Sequence, residues 1–181
     1  AIVLSQSYLN NRNVKYRDND ESSEENLTLR LGSIEQETKL RMENTSSWSV
    51  WKVKAGFDLN YSRYKSNEYR KVFANALREY DYHTDLSLWR WGMFASVDYA
   101  APDKSFTASM GVRTDGNNYS DKMKELWRQL SPRLSVSYRL IEGLTLSGHV
   151  GLYYQRPSYT ALGFKGEEGE YVNRHLDYIS V

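Results

Sequence analysis

Histidine, cysteine, serine and carboxylate side chains are the groups in this sequence that could bind a metal or catalyse a reaction. The histidines, His83, His149 and His175, are far apart in the chain, and no two of them have the spacing of a metal-binding pair. The sequence has no cysteine, no glycine-rich phosphate loop and no serine in a nucleophile turn. Its carboxylates follow no pattern that would pair them for acid–base catalysis. We therefore expect no catalytic residue, no metal site and no cofactor, and a protein that is not an enzyme.

The basic residues do not form an electrostatic binding site in the sequence. There are 24 Lys and Arg residues against 23 Asp and Glu residues, which gives a net charge of +1, and the two signs are mixed along the chain. A nucleic-acid-binding surface needs a concentrated basic patch or stripe. We therefore expect no nucleic acid partner.

Residues 133–154 show the kind of element that must position the polar side chains. Apolar residues alternate there with small, polar or charged residues through two arms, which a short connection at 141–143 separates. Because successive side chains of a strand point to opposite faces, the alternation predicts an antiparallel hairpin with one apolar and one polar face. His149 falls on the polar face, where we interpret it as a hydrogen-bonding residue rather than a metal ligand.

Residues 85–99 form the most informative predicted strand. Its apolar side carries Trp89 near one end and Tyr99 at the other. In a strand tilted by about 45°, which climbs roughly 2.3 Å per residue, these two rings lie about 23 Å apart. This distance matches the apolar band of roughly 25 Å that aromatic residues border in outer-membrane barrels. The alternative is a core strand of a soluble sandwich with large residues at both ends.

Residues 105–113 repeat the design, so the sequence yields two sets of candidate residues on opposite faces. The side chains expected to face lipid are Trp89, Trp91, Met93, Val97, Tyr99, Phe106, Met110, Val112, Leu134, Val136 and Tyr138. The side chains expected to face a wet lumen are Arg90, Arg113, Arg133, Arg139, His149 and Tyr153. Residues 48–64 support a wet lumen, because Lys, Asp and Asn share one side of that strand and would be costly in a dry core.

Connections between the predicted strands alternate in length. Long connections are expected at 16–26, 65–84, 114–132 and 155–171, and short ones at 44–47, 101–104 and 141–143. This alternation is typical of an up-and-down barrel with long loops at one edge and tight turns at the other. A short amphipathic helix is expected in the second long connection, from the helical spacing of Val72, Phe73, Ala76, Leu77 and Tyr80.

The sequence thus predicts an all-β protein, an antiparallel up-and-down meander of about eight strands that forms one partial barrel domain over residues 1–181. The strands are expected at 1–15, 27–31, 33–43, 48–64, 85–99, 105–113, 133–140 and 144–154, with a break at Gly32. No apolar run approaches the roughly 20 residues of a membrane-spanning helix. The first residues contain neither an initiator Met nor a signal-peptide pattern, which we interpret as a processed chain or a piece of a longer one.

Several stretches resemble the barrels of TonB-dependent outer-membrane receptors. The hairpin starts with Ser131-Pro132-Arg133 and ends in Tyr154-Gln155-Arg156-Pro157-Ser158-Tyr159, and residues 32–41 and 55–61 are similar to other barrel stretches of that family. The resemblance implies a transmembrane barrel of about 22 strands around a plug domain in the outer membrane of a Gram-negative bacterium. It also implies nutrient uptake powered by the TonB complex. The sequence contains no counterpart of the plug or of the TonB-contacting segment. We therefore expect part of a barrel whose parent protein contacts TonB through an N-terminal part that is missing here.

The transported substrate stays open among an iron chelate, a vitamin, a glycan and a peptide. Two other classes also stay open: a smaller outer-membrane barrel of about eight to ten strands that acts as an adhesin or enzyme, and a soluble β-sandwich or lipocalin-like binder. An enzyme would need acid and base residues clustered near the loop edge, and a soluble binder would need an apolar interior. The expected partners are membrane lipid, the TonB complex and a small or medium-sized substrate. We expect the isolated piece to self-associate through its apolar face.

Overall fold

Seven strands form one antiparallel sheet in the computed structural model, which describes residues 1–73, 77–166 and 169–180. The strands are β1 (Ile2–Tyr16), β2 (Leu27–Trp48), β3 (Trp51–Phe73), β4 (Leu77–Ala100), β5 (Phe106–Asn117), β6 (Ser131–Ile141) and β7 (Leu144–Gly151). Each strand pairs with the next one in the sequence, so β1 and β7 are the two edges. This meander confirms the predicted all-β class and its antiparallel up-and-down topology. Two short strands, β8 (Tyr154–Gln155) and β9 (Ile179–Ser180), pair separately from the sheet.

Short turns join the strands at one edge of the sheet. Residues 101–105 join β4 to β5, and Glu142 and Gly143 join β6 to β7, each within one residue of the predicted connections at 101–104 and 141–143. Gly143 has a φ of +84°, which glycine adopts without steric cost in a two-residue hairpin turn. The predicted turn at 44–47 is wrong, because these residues pair with β3 and the turn lies at residues 49–50. The ladder continues to Trp48 opposite Trp51, so more backbone groups are satisfied than an earlier turn would allow.

Long connections lie at the opposite edge. Residues 17–26 contain two 3-10 helices, Arg17–Asn19 and Glu24–Asn26. Residues 118–130 contain α1 (Asp121–Lys124) and the 3-10 helix Leu126–Gln129, and residues 156–178 contain α2 (Tyr159–Leu162). Serine side chains cap the two α-helices by accepting backbone hydrogen bonds at Ser120 and Ser158. The sequence therefore located three of the long connections, although β5 extends further into the second than expected.

The predicted long connection at 65–84 is wrong. β3 and β4 pair without interruption until Phe73 lies opposite Leu77. Lys71 and Glu79 form an ion pair of 3.7 Å across this ribbon. The expected amphipathic helix is absent from the described part of this stretch, although Ala76 and the side chain of Phe73 lie outside the described residues. Cross-strand pairing satisfies the backbone along the ribbon and outweighs the weak helical spacing of the apolar residues.

The predicted break at Gly32 is also wrong. β2 passes through this residue, which lies opposite Arg12 on β1 and Asn67 on β3. A glycine inside a strand weakens it, but pairing on both sides holds the backbone extended here. A single strand of 22 residues replaces the two short strands expected from the sequence.

The buried core lies on one face of the sheet, near the edge with the long connections. We call this the inner face, which carries Leu88 and Arg90, and its opposite the outer face, which carries Trp89. The core cluster consists of Tyr64, Leu86, Leu88, Tyr119, Met123, Tyr159 and Leu162. The strands supply the first three residues, and the connections at 118–130 and 156–178 supply the others. Among the described residues, no helix is long and apolar enough to cross a membrane.

Candidate functional site

The pairing register distributes the side chains of the sheet between the two faces. Residues opposite each other in antiparallel strands share a face, as Phe57 and Met93 do in the centre of the sheet. By this rule the outer face carries Trp89, Trp91, Met93, Val97, Tyr99, Phe106, Met110, Val112, Leu134, Val136 and Tyr138. Many of these side chains are open to the surroundings, with half of Met93 and 64% of Met110 exposed. A large apolar surface on this face is thus uncovered.

Two rows of aromatic rings border the apolar surface. One row lies near the short turns, where the ring centroids of Trp51 and Tyr99 are 4.8 Å apart and those of Tyr99 and Phe106 are 6.2 Å apart. The second row contains Tyr61 and Trp89, whose ring centroids are 4.9 Å apart. In a tilted transmembrane strand the two rows would be separated by about the thickness of the apolar band of an outer-membrane barrel.

The outer face is uncharged between the rows and becomes charged beyond them. No Asp, Glu, Lys or Arg occupies an outer-face position of β3 or β4 from one row to the other, and the described positions paired with them are also uncharged. One step beyond the second row, Arg63 forms an ion pair of 3.0 Å with Asp85. Lys65 lies 3.5 Å from the same carboxylate. The change in polarity therefore coincides with the aromatic row.

The inner face carries an ionic network centred on Glu37 of β2. Its carboxylate lies 2.6 Å from the guanidinium of Arg90 and 2.7 Å from the ammonium of Lys39. The hydroxyl groups of Ser62 and Tyr159 donate further hydrogen bonds to Glu37, at 3.3 and 2.6 Å. Because the carboxylate has cations and hydroxyl donors around it, its burial is compensated.

A second inner-face network surrounds Arg113. Its guanidinium forms ion pairs with Asp58, 3.1 Å away, and with Asp115. The hydroxyl of Ser109 donates a hydrogen bond of 2.5 Å to Asp98. Charged and polar side chains of β3, β4 and β5 thus pair with each other along the wall instead of facing an apolar core.

The other predicted lumen residues are spread over the inner side of the chain. The guanidinium of Arg133 lies 4.5 Å from the ring centroid of Tyr153, which follows β7. His149 lies opposite Ser135 and is exposed. Arg139 donates a hydrogen bond of 2.6 Å to the carbonyl of Lys104, so it lies at the short-turn edge and away from Arg90. The structure therefore places four of the six predicted residues, Arg113, Arg133, His149 and Tyr153, around one cavity, whose lining includes neither Arg90 nor Arg139.

The sequence did not identify the segment 156–178 as part of the site. Its described residues fold over the inner face, where the ring of Tyr159 stacks on Tyr64 with centroids 5.8 Å apart. Burial and the hydrogen bond to Glu37 raise the pKa of the Tyr159 hydroxyl. Leu162 is fully buried, and its carbonyl accepts a hydrogen bond of 2.7 Å from Tyr119. The segment therefore narrows the space over the inner face of the sheet.

One signal for this docking was present in the sequence. Tyrosines are frequent after β7, at Tyr153, Tyr154, Tyr159, Tyr171 and Tyr178. A tyrosine presents a large apolar ring and a polar tip, so a run of them in a connection favours packing on a polar wall over a solvated loop.

A cavity of about 410 Å³ lies between the segment and the inner face. Its walls come from β1 to β5 together with Tyr154, Arg156 and Tyr178. The cavity contains charged groups of both signs, and its described lining residues include no nucleophile arranged with a general base. Its chemistry is suited to binding a polar ligand by charge and hydrogen bonds.

Comparison with known proteins assigns the chain to a family. Residues 3–177 match the family described as TonB dependent receptor-like, beta-barrel. Comparisons with curated proteins and with solved structures give no match. The match covers nearly the whole chain, and the meander with long connections at one edge agrees with it. The chain therefore belongs to the TonB-dependent receptor-like β-barrels, a family of outer-membrane receptors and transporters.

Proposed function

We propose that this chain forms part of the wall of an outer-membrane barrel that imports a nutrient with energy supplied through the TonB complex. The outer-membrane location and the receptor or transporter class come with the family. The proposal adds active uptake of an iron chelate, a vitamin, a glycan or a peptide. It also assigns the outer face to lipid, the inner face to a wet lumen, and no enzymatic step to the protein.

The segregation of charge between the two faces is the observation that carries the proposal. The outer face between the aromatic rows is uncharged, whereas the inner face at the same level carries Lys39, Asp58 and Arg90. An ionised side chain is costly in hydrocarbon but not in a water-filled lumen. Aromatic side chains are favoured at the two membrane interfaces. A sheet with this distribution is stable with lipid on one side and water on the other.

A soluble sandwich or lipocalin-like protein fits this distribution poorly. Such a fold would bury the apolar face and expose the charged one. Here Met110 and Leu134 on the apolar face are 64% and 46% exposed, whereas Leu88 and Ser62 on the inner face are buried. The inner core is small and lies only near the long-connection edge, so it does not make the apolar face an interior.

Closure of a barrel would provide pairing partners for the two edge strands of the sheet, β1 and β7. β1 has 15 residues, and its outward edge pairs with no described strand. Exposed edges of this length are prone to pair with other strands. We propose that β1 and β7 pair with further strands of the parent barrel, for which about 22 strands are expected from the family.

Uptake in the Gram-negative host tests the transport function. Depletion of solutes from the growth medium would be measured by mass spectrometry for the parent strain, a strain lacking this protein and a strain lacking TonB. We expect at least one solute to remain in the medium of both mutant strains, and its depletion to return when the missing protein is restored. If the strain lacking this protein removes every solute that the parent strain removes, uptake by this protein is contradicted. Loss of depletion in that strain alone would contradict the dependence on TonB.

A further inference from the structure

Cations dominate the cavity beneath the segment 156–178. Its positively charged lining residues are Lys39, Arg41, Arg90, Arg113 and Arg156. Its negatively charged lining residues are Asp58 and Asp115. Both of these carboxylates form ion pairs with Arg113. Both lining carboxylates therefore pair with the same arginine. The other four lining cations have their ion-pair partners, where they have any, outside the cavity lining.

Neighbouring carboxylates account for three of the remaining cations. Lys39 and Arg90 share Glu37, at 2.7 and 2.6 Å. Arg41 forms an ion pair of 2.9 Å with Glu43. The two cations on Glu37 are balanced by the two carboxylates on Arg113, and Arg41 is balanced by Glu43, so the positive charge left in excess is that of Arg156.

Arg156 has no carboxylate partner among the described residues. Its guanidinium lies 4.0 Å from the ring centroid of Tyr159, and its Nη1 atom is buried without a hydrogen-bond acceptor. The Nε atom of Arg90 also has no acceptor in the described part of the chain. Two neighbouring arginines on different elements therefore have unsatisfied donors. An unpaired, partly buried guanidinium is costly, and a charged acceptor would remove this cost.

The electrostatic surroundings of Arg156 support the same conclusion. Burial is the main cause that lowers the pKa of its guanidinium, and the positive charge of Arg90 also lowers it, whereas Tyr159, Tyr178 and Glu37 act in the opposite direction. The planar fork of an arginine is matched in geometry to the two oxygens of a carboxylate or a phosphate. A ligand carrying such a group would be held by charge and by paired hydrogen bonds.

We propose that the cavity between the inner face and the segment 156–178 binds an oxyanion, the carboxylate or phosphate group of the transported cargo, with Arg156 as its principal contact. Arg90 supplies the second donor. Arg90 also stabilises the docked segment, because it pairs with Glu37, which accepts a hydrogen bond from Tyr159 of the segment. The inference rests on the proposed uptake function for the identity of the ligand as cargo. The binding itself needs no transport.

Calorimetric titration with citrate and with inorganic phosphate tests the site, using the protein purified from the outer membrane in detergent. Arg156→Gln removes the charge and keeps a polar side chain. Arg174→Gln is the matched control, because Arg174 lies in the same segment, is exposed and does not line the cavity. We expect wild type and Arg174→Gln to bind at least one of the two anions with the same affinity, and Arg156→Gln to bind it at least about tenfold more weakly. Absence of binding to both anions, or equal affinity in all three proteins, would overturn the proposal.

Thermal unfolding without added anion separates a ligand-binding role from a structural one. If Arg156 is kept for a ligand, its removal relieves an unpaired charge, and we expect Arg156→Gln to unfold at the same or a higher temperature than wild type. A lower unfolding temperature would assign Arg156 to packing on Tyr159 and would count against the site. A receptor for an uncharged nutrient would pass the uptake experiment and fail the titration, so the two proposals can fail independently.

Discussion

Leu134 and Ser135 are neighbours on β6 whose side chains lie on opposite faces of the sheet. Leu134 lies opposite Met110 on the outer face, and Ser135 lies opposite Ser109 and His149 on the inner face. Both residues are exposed, so neither substitution has to disrupt a packed protein core. A difference in stability between substitutions at these two positions therefore shows whether each face contacts lipid or water.

Leu134→Arg should destabilise the barrel much more than Ser135→Arg. Leu134 lies four residues from Tyr138, at an intermediate depth of the apolar band, where the cost of an arginine facing lipid lies between about 1 kcal/mol at the interface and about 2 to 4 kcal/mol at the midplane. On the inner face the new arginine meets water, so we expect a change within about 0.5 kcal/mol. Denaturant unfolding of both variants in lipid vesicles gives the comparison. Equal costs for the two substitutions would rule out lipid on the outer face.

The segment 156–178 shows how one element completes the inner side of the sheet. Its contacts reach β2 through Tyr159, β4 through Gly163, whose carbonyl accepts a hydrogen bond of 2.9 Å from Thr84, and the connection at 118–130 through Leu162. These contacts combine a buried apolar cluster with hydrogen bonds to a polar wall. We therefore expect the backbone amide hydrogens of this segment to exchange with solvent more slowly than those of a solvated loop of the same length.

Leu162→Ala should loosen this segment without unfolding the sheet. Leu162 is fully buried between the segment and the wall, and its truncation should reduce the free energy of local opening by about 2 to 5 kcal/mol. Val172→Ala is the control on the same segment, because Val172 is 40% exposed and should have an effect of about 0.5 kcal/mol or less. Hydrogen exchange of residues 156–178 measures the opening. Unchanged exchange in Leu162→Ala would show that the hydrogen bonds alone hold the segment.

At the scale of the whole molecule, the sheet leaves two kinds of surface uncovered. The first is the apolar outer face, and the second is the pair of edge strands, β1 and β7. Exposed apolar patches larger than a few hundred Å² and unpaired strand edges both promote association. In a closed barrel, lipid would cover the face and neighbouring strands would cover the edges.

We therefore expect the 181-residue chain, produced on its own, to associate in buffer without detergent. Sedimentation should give a mass well above that of the monomer, and detergent should lower it. Replacement of Met110 and Leu146 by Lys should reduce the association, because both side chains are about two-thirds exposed on the outer face. Replacement of Ser135 and Ser147 by Lys is the inner-face control and should leave it unchanged. A monomer without detergent would contradict the expectation.

The alternation of residues along the chain determined the faces of the sheet. A strand repeats every two residues for reasons of backbone geometry, so the positions of Trp89 and Arg90 on opposite faces followed from the sequence alone. Gly143 in a short connection likewise indicated a tight turn, because glycine readily adopts the positive φ that this turn requires. Fold class, topology and most strands were therefore predictable, whereas the roles of the faces toward lipid and lumen remain predictions.

Only the tertiary structure decided where strands stop and what covers the inner face. The ribbon formed by β3 and β4 is long because each strand supplies the other's hydrogen-bond partners, a gain that neither stretch shows alone. Glu37 and Tyr159 meet although 122 residues separate them, and Arg156 enters the cavity through the same docking. A local pattern specifies which side a residue faces, but the identity of a distant partner depends on the path of the whole chain.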